Sequence, residues 1–323
     1  MFFLSDLGAL CGKYRFSGFG LSRRQRRSYR VLYEEVMRSL WLVMLMMLSA
    51  QAMSQTLVAS VEPLAKVLRG LYGDQVQVVT LLQANQNPHQ LALSPRQAML
   101  VQQADLLVWL GETVEAPLAP LVARRQGPTL ALLELEGVHR REGDHDHDHE
   151  HHDSDHGDAT LDPHLWLSLD NMMLLAGALA QRYPQGLNQG EPDRWQQAAT
   201  TRQGHHHQAL AGLSDIPWLS YHHPWGYLTE TLGLAEPLVV SRQLDAGPGS
   251  RRFVELASQI RDQQVRCAIR EPEARAALIT RLCPDCQIHP LDPLGRDYPE
   301  LDYLTWRDRL VEGFKACLQA GAG

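Results

Sequence analysis

The chain is 323 residues long and 44% hydrophobic, enough for two core-forming domains of ordinary size. Its formal charge of −7 is unevenly spread: residues 1–52 carry eight basic and three acidic side chains, a net of +5, so the remainder sums to −12. An acidic body argues against nucleic acid as a partner and suits a cationic ligand.

The basic excess ends in MRSLWLVMLMMLSAQAMS, which starts at Met37. Arg38 is a short positive region, residues 40–50 form an eleven-residue apolar run, and Ala50-Gln51-Ala52 is a small-x-small cleavage signal. A stable bilayer span needs roughly twenty apolar residues, so this run reads as a secretory signal peptide rather than an anchor. The expected organisation is an upstream extension or mis-started segment over 1–36, a signal peptide over 37–52, and a mature chain from about Met53. Export leaves four cysteines, Cys267, Cys283, Cys286 and Cys317, in an oxidising compartment, where three pairings are open.

From residue 53 short β-rich runs alternate with helical periodicity. TLVAS (56–60) predicts a strand, and residues 62–72 place Leu64, Ala65, Leu68 and Leu71 on one helix face. QVQVVTLL (75–82) predicts a second strand. Ser94-Pro95 caps a helix with proline at its first position. DLLVWLG (105–111) reads as a buried strand, ETVEAPLAPLVARR (112–125) as a helix, and TLALLEL (129–135) as a further strand. Strands separated by helices imply a parallel, right-handed α/β unit. Residues 143–158, GDHDHDHEHHDSDHGD, interrupt this order with six histidines and seven acidic residues in sixteen positions. No packed core can use such a segment, and its donors are those a borderline divalent metal prefers.

Two helical stretches follow, 167–183 and roughly 193–213, and then the alternation resumes. The strands are PWLSYH, EPLVVS, RCAIRE and CQIHPLDPL; the helices are WGYLTETLGL, SRRFVELASQIRDQQ, EARAALITRL and YLTWRDRLVEGFKACLQ. The expected fold class is therefore α/β: an N-terminal lobe over 53–192, a connecting helix over 193–213 and a similar C-terminal lobe over 214–323. Ligands of open α/β sheets sit beyond the carboxyl ends of the strands, which here means the interlobe cleft. Three histidines occupy such positions: His89 after VQVVTLL, His164 in DPHLWLSLDN, and His222 at the end of PWLSYH.

NPHQLALSPRQAMLVQQADLLVWLG resembles the pattern DPHxYxPxPxDxxxLxxADLVVxxG. DPHLWLSLDNMMLLA resembles DPHxWLDPxNAxxxA, and HHPWGYLTETLGL resembles HDAxGYFxxxYGL. REPEARAAL and LDPLG complete the series in order. Together they resemble the cluster 9, zinc-type periplasmic solute-binding proteins of metal ABC transporters, over about residues 55–320. The resemblance implies two lobes joined by a long rigid helix, with the metal between them. It also implies a non-enzymatic role: binding Zn²⁺ in the periplasm and passing it to an inner-membrane ABC permease, as a monomer in a Gram-negative cell. No cysteine stands at the cleavage site, which fits a free protein rather than a lipoprotein.

Carried over by position, the metal ligands are His89, His164 and His222, with Asp292 or water as the fourth. Asn87 stands where the pattern has an acidic residue, and His223-Pro224 replaces Asp-Ala, so His223 is the alternative to His222. Three imidazoles suit zinc, whereas a manganese or iron binder of this family would bring carboxylates. A secreted zinc hydrolase, the rival from another class, needs a base beside its ligands, and no HExxH occurs. A surface adhesin is a further alternative. Glu271 is expected near the cleft as an outer-sphere acceptor. Some zinc-type relatives pair cysteines at the positions of Cys267 and Cys317, which leaves Cys283 and Cys286 to each other. His145, His147, His149, His151, His152 and His156 form an accessory metal loop, as scavenger or sensor. His205, His206 and His207 spread over about 200° of a helix and cannot share one ion; a solvated connector face is the expectation, an accessory contact the alternative.

Overall fold

The computed structural model describes residues 35–37, 55–82, 93–143, 161–241 and 247–322. Residues 35–37 form one helical turn within a separate unit that ends at Met53; everything below concerns the unit that begins at Ser54. His89, the histidine run from His145 to His156, and residues 38–52 of the expected signal peptide lie outside the described residues.

The N-terminal lobe is built on four parallel strands, β1 (Gln55–Ala59), β2 (Val76–Thr80), β3 (Leu106–Trp109) and β4 (Thr129–Ala131), in the order β2-β1-β3-β4. α1 (Glu62–Tyr72) buries Leu64, Ala65, Leu68 and Leu71, the face expected from their spacing. α2 (Pro95–Gln103) starts at Ser94, whose hydroxyl accepts the Gln97 N–H while Gln97 Oε1 accepts the Ser94 N–H. This capping box satisfies two donors that a bare helix start would leave without partners.

The helix expected over 112–125 is largely absent. Residues 116–118 form a single 3-10 turn and α3 (Ala119–Val122) is four residues long. Pro117 and Pro120 explain it: neither can donate to the turn before, so the segment breaks at each. The strand expected over 129–135 likewise stops at Ala131 and turns into a 3-10 segment, Leu132–Glu134.

α4 (Leu169–Arg182) is capped by Ser168 and leads to the connecting helix α5 (Glu191–Ala209). α5 is shifted from the expected 193–213; it ends at Ala209, and Gly212 turns the chain with φ +80°. Trp195, Ala199 and His206 make its buried face.

The C-terminal lobe repeats the first. β5 (Leu219–Ser220), β6 (Leu238–Val239), β7 (Cys267–Arg270) and β8 (Gln287–Pro290) lie parallel in the order β6-β5-β7-β8. α6 (Gly226–Leu232), α7 (Ser250–Asp262) and α8 (Ala276–Leu282) connect them, and α9 (Tyr303–Gly321) closes the chain with Asp302 as its N-cap. Disulfides join Cys267 of β7 to Cys317 of α9 and Cys283 to Cys286. One apolar cluster extends through both lobes, from Leu57, Leu64 and Trp166 to Trp225, Tyr227 and Phe314. Among the described residues no helix is long and apolar enough to cross a membrane.

Candidate metal-binding cleft

In each sheet the chain leaves the first strand toward one neighbour and later returns on the other side. The switch points therefore lie between β1 and β3 and between β5 and β7, where open α/β sheets bind ligands. His222 follows β5 and Glu271 follows β7, so the C-terminal switch point carries a histidine facing a carboxylate. His222 Nδ1 stands 3.7 Å from Glu271 Oε1. Glu271 is 1% exposed, and burial pushes its carboxyl up to about 8.

The two adjacent imidazoles of His222 and His223 point apart. The His222 ring lies 5.4 Å from that of His164, edge to face. His223 turns the other way, with Nε2 2.7 Å from Glu236 Oε2 and its ring against Trp218.

His164 sits on a segment with unusually many fixed points. Asp162 Oδ1 accepts both the His164 backbone N–H at 3.0 Å and the ring at Nδ1, 2.8 Å away. A proton on Nδ1 is the arrangement that suits the carboxylate, and it leaves Nε2 with a lone pair. Burial alone would raise the Asp162 carboxyl, but hydrogen bonds from His164 and the charge of Arg141, whose Nη1 is 3.5 Å away, hold it below the usual carboxylate range. The Tyr227 hydroxyl donates to the Asp162 carbonyl and accepts from the Arg141 N–H. Trp166, packed edge-on to His164, donates its indole N–H to the Pro293 carbonyl at 2.8 Å. Tyr303 donates to the Trp166 carbonyl and Arg307 to that of Leu167, each at 2.7 Å. The segment precedes the connecting helix in sequence, yet its hydrogen bonds run to the C-terminal lobe.

Arg141 ties the same region together, pairing with Glu236 at 2.8 Å. Its guanidinium lies on the backbone of Gly226, where any Cβ would collide with it. Neither Arg141 nor Asp162 was singled out from sequence. Asp162 was legible, since the DPH motif sets it two residues from its histidine; Arg141 meets its glutamate 95 residues away and carried no local signal.

Asp292 follows β8, beside the strand that carries Glu271, but its carboxylate is turned into its own loop. The N–H groups of Leu294 and Arg296 donate to it at 3.1 and 2.5 Å, and Arg296 Nη2 lies 2.9 Å from Oδ1. Among the described residues, no group of three or more histidine, cysteine or acidic side chains is arranged to hold a metal ion. The structure brings together two of the expected ligands, His164 and His222, and His89 falls outside the residues it describes. The His205–His207 triplet separates: His206 is buried and bonded to Asp308 of α9 at 2.7 Å, while its two neighbours are exposed. A fully solvated face is thus corrected to one with an inward imidazole.

Two parallel sheets of the same order, an intervening long helix and a histidine–glutamate pair at a switch point match the architecture of a two-lobed solute-binding protein. The family model described as the zinc-uptake complex component A, periplasmic (ZnuA), matches residues 57–317, and the chain belongs to that family. Among its relatives is the high-affinity zinc uptake system protein ZnuA of Yersinia pestis, 23% identical over 82% of this chain and 92% of its own. The protein of the same name from Paracoccus denitrificans is 28% identical over 77% of this chain and 86% of its own. A crystal structure of ZnuA superposes with a TM-score of 0.68 at 18% identity, covering 82% of this chain and 99% of that one.

Proposed function

We propose that the protein binds one Zn²⁺ between its lobes, in the periplasm, and delivers it to an inner-membrane ABC permease. The family supplies the class, a solute-binding component of zinc uptake. The observation that carries the ligand assignment is the His164–His222 pair, two imidazoles 5.4 Å apart whose Nδ1 atoms face Asp162 and Glu271. With the Nδ1 atoms turned to Asp162 and Glu271, the Nε2 atoms are the ones that would coordinate one ion, at about 2.0–2.1 Å. His89 is the third ligand in this reading, and water is the fourth. A site of neutral imidazoles with one open position binds zinc firmly and still releases it to a partner.

Residues 37–52 act as the export signal, and the histidine run from His145 to His156 acts as an accessory loop that collects zinc. Glu142 and Leu161, described residues on either side of this segment, bridge to each other. The test is a competitive zinc titration of the mature chain, a loop-deleted form and His164→Ala. One tight equivalent that survives loop deletion and disappears in His164→Ala supports the cleft site. Tight binding that ignores His164 and goes with the loop would make the protein a histidine-rich buffer instead.

A further inference from the structure

Beyond the imidazoles, the register Arg270↔Pro290 sets Glu271 and Asp292 just past the carboxyl ends of the neighbouring strands β7 and β8, with Glu273 two residues further on. Freed of other partners, carboxylates beside His222 would offer hard oxygen donors, the kind that manganese and magnesium prefer. The chain does not leave them free. Arg296, with a side chain 8% exposed, reaches back from the loop after β8 and joins two of the three. Its Nη1 is 2.5 Å from Glu273 Oε1 and its Nη2 is 2.9 Å from Asp292 Oδ1, with Nε 3.1 Å from Asp292 Oδ2. The backbone completes the enclosure: Gly295, at φ +65°, turns the loop so that the N–H groups of Leu294 and Arg296 face the same carboxylate. Asp292 thus accepts from two backbone and two guanidinium donors, and a side chain 1% exposed has no lone pair left over for an ion.

Resting on the zinc reading above, we propose that Arg296 is a specificity-determining residue. By occupying Asp292 and Glu273 it withholds oxygen donors from the cleft, leaves coordination to imidazole and so favours zinc over manganese. A guanidinium suits this task because its fork matches a carboxylate geometrically and it stays charged at every physiological pH, so the bracket cannot be titrated away. A lysine would neutralise charge without pinning both oxygens.

The test measures zinc and manganese affinities of the mature chain by competition with a metal-sensitive chelator, in the unmodified protein, Arg296→Gln and Arg296→Gln with Asp292→Asn. Freeing the carboxylate should tighten manganese binding by about tenfold or more while zinc affinity moves by less than about threefold. Adding Asp292→Asn should return manganese affinity to its starting value. Manganese affinity that stays constant in Arg296→Gln, or rises without reversal by Asp292→Asn, overturns the proposal. His164→Ala, run alongside, separates that failure from failure of the zinc site, because only the latter leaves tight zinc binding intact in His164→Ala. Should Arg296→Gln not fold by circular dichroism, Asp292→Asn alone decides. A bracketed carboxylate costs thermal stability and leaves zinc affinity in place; a zinc ligand costs about tenfold or more in affinity, and that result overturns the proposal.

Discussion

A histidine is a good zinc ligand only when its second nitrogen is already committed, and Asp162 makes that commitment for His164 at 2.8 Å. Asp162→Asn keeps the shape but lets the imidazole flip or change tautomer, so zinc affinity should fall by about 10–100-fold. His164→Ala should lose the tight equivalent outright; isothermal titration distinguishes the two. A second buried carboxyl, Glu115, sits at the N-terminal switch point, accepts the Leu110 N–H at 2.7 Å, and is pushed by burial to about 7. Between its ordinary 4.5 and about 7 the folded chain holds this proton and the unfolded chain does not. Its contribution to stability is therefore complete below the ordinary value and lost as pH rises through about 7. Glu115→Gln should remove that part of the slope, gaining on the unmodified chain by on the order of 2 kcal/mol between pH 5 and pH 8 in thermal unfolding. Equal shifts at both pH values would show that Glu115 is ionised in the fold. These residues differ in how far sequence reveals them. His164 is announced by a local motif, whereas Glu115, Arg141 and Arg296 matter through contacts that only the folded chain creates, and nothing in their neighbours sets them apart.

Elements were legible wherever a short-range rule governs them. α1 is found at its expected bounds because its apolar spacing and Pro63 near its start agree, and α2 because Ser94, Pro95 and Gln97 form a complete start signal. The misses are equally physical: apolar periodicity over 112–125 is real, but two prolines three apart outweigh it. The strand ending at Ala131 was overrun because apolar residues continue past it into the 3-10 segment Leu132–Glu134. What no element-level rule could supply is the tie between β7 and α9, where Cys267 and Cys317 are bonded across 50 residues with both side chains buried. Cross-links of this span restrict the unfolded chain, and replacing the pair with Ala should cost about 2–5 kcal/mol. The midpoint of chemical denaturation, compared with and without reductant, checks this. With reductant present, so that Cys283–Cys286 is open in both, the double variant should match the unmodified protein if the bridge acts as a constraint rather than as packing.

The two lobes are topological copies, yet they are not energetically separate bodies. α9 packs against β7 and β8 of its own lobe and against α1 and α5 as well, and one apolar cluster includes residues of both sheets' inner layers. Phe314 stands in that joint, with Trp218 and Trp225 each 5.3 Å away edge to face. Removing it to alanine leaves a cavity bordered by two indoles and should cost about 3–5 kcal/mol. Because the core is shared, the loss should lower a single cooperative unfolding transition rather than split it. Zinc extends the same argument. On the proposed assignment the His164–His222 site needs the fold, so at a thousand times its dissociation constant zinc should stabilise the whole transition by up to about 4 kcal/mol, less whatever the histidine run binds in the unfolded chain. In Phe314→Ala that gain should be nearly unchanged, since the site is fixed by Asp162, Tyr227 and Trp166 rather than by Phe314. Differential scanning calorimetry with and without zinc tests the claim directly. Two transitions, of which zinc moves only the later, would mean that the lobes unfold separately and that the shared core does not couple them.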